Sequence, residues 1–117
     1  MALLLADELK AAAIVEHEGV LLHKASEPLR LEVKLADDTH VAHVRLHYRT
    51  VDQNAEFKVV SMEKTGHRQY TGVIPAADLD PVFDEMYYFE VVDRLGNGSF
   101  HPDPFTGERY FVVKVTT

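Results

Sequence analysis

The chain contains no cysteine, which excludes disulfide staples, thiol catalysis and thiolate metal sites. Tryptophan is also missing, so the largest ring for stacking on a sugar is not available. Basic residues are in the minority, 12 Lys and Arg against 19 Asp and Glu, giving a formal charge of −7. That balance argues against binding to nucleic acid, whose phosphate backbone needs basic patches. No uncharged apolar run approaches the roughly 18 residues of a membrane-inserting helix. Residues 1–7 have neither the basic flank nor the length of a secretory signal. The compartment is therefore set by context: extracellular or periplasmic if the domain is cut from a larger exported protein, cytoplasmic if the chain is complete as given.

What is present is an ordinary folding composition. The chain has 117 residues, 46% hydrophobic and 26% charged, which suits one core and leaves no room for a second. Residues 1–13 form a leader in which Leu5, Leu9, Ala12 and Ala13 recur at helical spacing. A short helix and an irregular lead into the first strand are both open there.

From Ile14 onward the period changes to two. Leu29, Leu31, Val33 and Leu35 alternate with Arg30, Glu32 and Lys34, the pattern of a half-buried strand. A turn at Asp37, Asp38 and Thr39 leads to Val44, Leu46 and Tyr48 alternating with His43, Arg45, His47 and Arg49. Two further strands are expected over residues 57–62 and 70–74, separated by Lys64, Thr65, Gly66 and His67 and stopped by Pro75. Tyr87, Phe89 and Val91 mark another, followed by a turn from Asp93 to Gly98, and Phe111, Val113 and Val115 mark the last. With a first strand between Ile14 and Leu22, this makes about seven short strands with turns every 8–12 residues or so. Such spacing predicts an all-β, immunoglobulin-like antiparallel sandwich over residues 14–117.

The segments 28–33, 44–49, 70–76 and 87–93, with Phe57, Met62, Gly96 and Asn97, carry a resemblance. Together they resemble immunoglobulin-like or fibronectin type III-like modules of bacterial multidomain proteins. The resemblance covers nearly everything after Ile14, and its most distinctive parts are Tyr48–Arg49, Ile74–Pro75–Ala76 and the Tyr87–Asp93 strand with its Gly96–Asn97 turn. It implies an accessory domain that accompanies a catalytic or adhesive one and performs no chemistry itself. The Cys pair and core Trp of antibody-type domains are missing.

Residues with chemical potential give the same reading. His40, His43 and His47 lie close in sequence, but on a strand His43 and His47 sit roughly 13 Å apart and His40 falls on the other face, so one ion cannot be held. No calcium-loop spacing appears among the acids. Ser26, Ser61 and Ser99 lie outside any nucleophile elbow. Asn97–Gly98–Ser99 matches a glycosylation acceptor and is equally a turn. No catalytic residue, metal or cofactor is indicated, and an enzyme is not expected.

Two surfaces are candidates for a protein partner, a neighbouring domain or subunit. Immunoglobulin-like order makes the third, sixth and seventh strands neighbours, so His43, Arg45, His47, Arg49, Met86, Tyr88, Tyr110 and Val112 share an outward face. Its core is His43, Arg45, His47, Tyr88 and Tyr110, an aromatic and basic set of the kind enriched at interfaces. The same order gathers loops at one end, carrying Asp37, Asp38, His67, Arg68, Asp93, Asn97, His101 and Asp103. The alternative is a carbohydrate-binding module that stacks sugars on Tyr88, Tyr110 or Phe105, which needs exposed and coplanar rings. Unpaired outer strands also allow pairing with a second copy.

Overall fold

The computed structural model describes residues 13–117, so the leader expected over 1–13 lies outside the described residues except for Ala13. Among the described residues ten strands are found: β1 (Ile14–Glu16), β2 (Leu22–Lys24), β3 (Leu29–Leu35), β4 (Val41–Thr50), β5 (Lys58–Ser61), β6 (Glu63–Gly66), β7 (Gln69–Ile74), β8 (Glu85–Asp93), β9 (Gly98–His101) and β10 (Phe111–Thr116). One sheet has the order β1-β3-β7-β6. The other runs β2-β10-β8-β4-β5, with β9 also paired to β8. This is an all-β sandwich of immunoglobulin-like topology, its first sheet built from strands one, three, seven and six and its second centred on β10, β8 and β4.

Alternation places the core. Leu29, Leu31, Val33 and Leu35 of β3 face Val44, Leu46 and Tyr48 of β4 and Tyr87, Phe89 and Val91 of β8, and all are nearly inaccessible to solvent. The two sheets pack tightly at Gly72 of β7. A Cβ built there would stand 3.1 Å from both Leu46 Cδ2 and Met62 Cγ, so the glycine makes room for the leucine.

Three features depart from the strand pattern expected above. The first strand is divided, β1 pairing antiparallel with β3 and β2 pairing parallel with β10 in the opposite sheet. Lys64, Thr65 and Gly66, expected with His67 to separate two strands, belong with Glu63 to strand β6. The chain changes sheets at the buried Met62 between β5 and β6, and only residues 67–68 turn. Glu63, Lys64 and Thr65 are all exposed on an edge, which is why no apolar alternation announced the strand. Finally, Gly98–His101 forms β9 against Phe89–Val92, while β10 takes up the same side of β8 at Glu85–Tyr87. One long edge is thus shared by two strands, with a short 3₁₀ turn at Pro104–Thr106 between them.

The crossing from β1 to β2 is organised by His17. Its Nδ1 lies 2.7 Å from the Glu32 carbonyl oxygen and its Nε2 lies 2.8 Å from the Tyr87 hydroxyl. The ring packs edge-on against Tyr87, Phe89 and Phe111. Burial holds its pKa below the usual histidine value.

Candidate functional site

The outer face of the larger sheet is built by register. His43, Arg45, His47 and Arg49 of β4 stand opposite Val92, Glu90, Tyr88 and Met86 of β8. Their side chains point away from the core because the inward positions of both strands are taken by Val44, Leu46, Tyr48, Tyr87, Phe89 and Val91. At the centre, the His47 and Tyr88 rings stack with centroids 4.5 Å apart and planes 6° from parallel. His47 Nε2 is 3.0 Å from Glu90 Oε1, and Arg45 Nη1 is 3.6 Å from the same oxygen. Glu90 therefore ties two cross-strand neighbours into one polar knot, and it raises the Tyr88 pKa together with burial, the larger cause.

Apolar rings surround that knot. Phe57 meets Tyr88 edge-on at 5.3 Å, Phe100 of β9 does so at 5.9 Å, and the Arg49 guanidinium lies 5.0 Å above Phe57. Phe100 (46%), Tyr110 (46%), Val112 (48%) and Val59 (51%) are substantially exposed on or beside the same face. Met86 has the outward parity but is buried.

Of the expected face, His43, Arg45, His47 and Tyr88 lie together, and Tyr110 lies at its β10 margin. Phe57, Val59 and Phe100 were missed. Phe57, the first residue of a strand expected over 57–62, precedes β5, and Phe100 lies in β9, just beyond the turn expected at Asp93–Gly98, where no apolar alternation marks a strand. The rings proposed for sugar stacking are not presented as one platform. One face of Tyr88 is covered by His47, its edges meet Phe57 and Phe100, and Phe105 belongs to the separate 3₁₀ turn.

The loop end is only partly as expected. Asp38 accepts from the Tyr70 hydroxyl at 3.2 Å and pairs with Lys64 at 2.7 Å. Arg68, with positive φ, donates to the Ala36 carbonyl at 2.6 Å, and the Leu35 N–H donates to the Arg68 carbonyl. Asp37 closes its turn by accepting from the Thr39 N–H. The Asp93 carboxylate accepts from the Leu95 and Asn97 N–H groups and from the Asn97 side-chain amide. The Arg94 N–H donates to the His40 carbonyl and joins the two turns. Asp37, Asp38, His67, Arg68, Asp93 and Asn97 thus occupy this end. His101 and Asp103 do not. His101 pairs with Phe89 inside the sheet and packs on Phe111, and Asp103 caps the Pro104–Thr106 turn. The unforeseen hairpin carries both away from the loops.

The opposite end holds a buried acid, Glu85, outside the expected sites. Glu85 occupies an inward position of β8, two residues before Tyr87, and is fully buried. Neither of its carboxylate oxygens has a hydrogen-bond partner among the described residues. Burial first, then the charge of Asp78, pushes its pKa up to about 7, against a smaller opposing effect of Lys58. Asp78 accepts from the Tyr48 hydroxyl at 2.6 Å and from Lys58 Nζ at 2.7 Å. The signal was in the sequence: an acid on the apolar parity of the clearest core strand.

The sequence matches no family model and no curated protein. Among solved structures, this chain is similar to murine CRIg, with 6% identity, a TM-score of 0.44, and coverage of 89% of this chain and 95% of that one. Two sheets of the order given above define an immunoglobulin-like β-sandwich, and among the described residues no helix is long and apolar enough to cross a membrane.

Proposed function

We propose that the chain is a non-catalytic interaction module that docks a protein, a neighbouring domain or subunit, on the outer face of its larger sheet. The observation that carries this reading is the exposure of Phe57, Val59, Phe100, Tyr110 and Val112 around the His47–Tyr88–Glu90 knot. Exposed apolar groups gathered around ordered polar ones match the anatomy of interfaces, and Tyr and Arg are the residues such surfaces favour. Arg45 and Arg49 give the face a basic character on an acidic chain, which selects a partner with complementary acidic groups. The loop end with Asp37, Asp38, His67, Arg68, Asp93 and Asn97 serves as a second, polar contact region. The resemblance to modules of bacterial multidomain proteins agrees with an accessory role.

The test is site-specific photo-crosslinking in the source cells. A photoreactive residue at Val112, on the proposed face, is compared with one at Val73, which is exposed on the smaller sheet. Adducts of defined mass at position 112 and none at 73 are expected. Equal labelling at both positions, or no adduct at 112, overturns the reading.

A further inference from the structure

The end of the sandwich that holds Glu85 contains a cavity of ≈ 450 Å³ whose wall includes Glu85, Tyr48, Asp78, Leu79 and Pro81. Its charged lining is unbalanced. Four carboxylates, Glu56, Asp78, Asp80 and Glu85, face two cations, Arg49 and Lys58. Lys58 is engaged by Asp78 at 2.7 Å, and Arg49 Nη1 by the carbonyls of Asp52 and Ala55 with its guanidinium over the Phe57 ring, while Arg49 Nε is buried without a partner among the described residues. Each oxygen of Asp78 already has a donor, Lys58 on one and the Tyr48 hydroxyl on the other. Glu85, fully buried, has no hydrogen-bond partner for either carboxylate oxygen.

A buried acceptor without a donor is costly, and the cost is recovered by any ligand that supplies one. We propose that this cavity binds a small organic cation, a primary ammonium group held by the Glu85 carboxylate, with its hydrocarbon part against Leu79, Pro81 and Tyr48. A hard divalent cation such as Ca²⁺ or Mg²⁺ is a poor match, because it takes six or more oxygens, and among the described residues no cluster of three metal-ligating side chains exists. An ammonium needs one carboxylate and an apolar wall. Binding ionises the buried acid. The proton on Glu85 passes to solvent as the ammonium takes its place, so affinity rises with pH.

The probe is n-butylammonium, titrated into the full chain and followed by amide chemical shifts at pH 6 and pH 8. A ligand of this size is expected to saturate at about the millimolar level. Shifts should concentrate at Thr50, Asp78 and Glu85, with several-fold tighter binding at pH 8. Glu85→Gln should weaken binding by about tenfold or more, the loss of one charge-assisted contact. Ala77→Trp, a change at an exposed position on the rim, tests the cavity without touching the acid and should weaken it likewise. Shifts that fail to saturate, equal affinity in both variants, or shifts spread over every surface carboxylate would each overturn the proposal.

Discussion

His17 and Tyr87 share one proton arrangement. The Glu32 carbonyl can only accept, so His17 Nδ1 carries the hydrogen of the neutral ring. Nε2 must then accept from the Tyr87 hydroxyl at 2.8 Å. The run from Tyr87 through His17 to Glu32 is thereby satisfied. This relay fastens the β1–β2 crossing to the core strand β8. Protonated His17 would have to donate from both nitrogens, and the Tyr87 hydrogen would lose its acceptor.

A pH dependence follows from that geometry. Burial lowers the His17 pKa, and burial together with the charge of His17 lowers that of His101. The unfolded chain therefore binds protons more readily than the folded one just below pH 6.5, and stability falls as pH drops from there through the depressed folded values. His17→Phe should remove the His17 part of that slope and cost about 1–3 kcal/mol at pH 7.5, because the Glu32 carbonyl loses its donor and Tyr87 its acceptor. Urea denaturation at pH 5 and 7.5 measures both effects.

Glu85 contributes with the opposite sign. Its folded pKa, about 7, lies above that of an unfolded glutamate, so its contribution is complete at low pH and is lost as pH rises from about 4.3 through 7. Glu85→Gln removes the buried charge at no cost in volume. The variant should exceed the parent in stability by ~2 kcal/mol at pH 8 and match it more closely at pH 5. Denaturant midpoints across this range reveal the crossover, and a variant less stable at pH 8 would contradict the buried, unpartnered carboxylate.

Gly72→Ala probes the tight packing of β7 on Leu46 and Met62. The new methyl would press on Leu46 and Met62 at 3.1 Å, and overpacking of this kind costs about 1–3 kcal/mol. Pairing it with Met62→Ala should return part of the loss, since one of the two contacting side chains is then gone. Thermal midpoints of the single and double variants give the coupling.

Asp93→Ala should lower the thermal midpoint, and Asp93→Asn by less, because the carboxylate caps the β8–β9 turn through the N–H groups of Leu95 and Asn97. Those hydrogen bonds, the Asn97 N–H foremost, keep the Asp93 pKa below the usual aspartate value. Its contribution is therefore held above pH 3.8 and fades as pH falls through the lower folded value. Amide exchange at Leu95 and Asn97 reports directly on the turn.

The sequence by itself determined the sandwich and its inside. Wherever a strand buries one face, as in Leu29–Leu35 or Tyr87–Val91, period-two alternation separates core from surface, because neighbouring side chains must point to opposite sides. It also determined that His43, Arg45 and His47 share a face, since parity within one strand needs no knowledge of its neighbours. Tertiary structure decided everything that depends on pairing between distant segments. The exposed edge strand Glu63–Gly66 and the hairpin strand Gly98–His101 bury too little to leave a pattern, yet they set where the chain changes sheets and carry His101 away from the loop end. The stack of His47 on Tyr88, the addition of Phe57 and Phe100 around it, and the enclosure of Glu85 beside Asp78 and Lys58 all join residues far apart in the chain. Contacts of that kind are fixed by register and packing, and local sequence does not encode register.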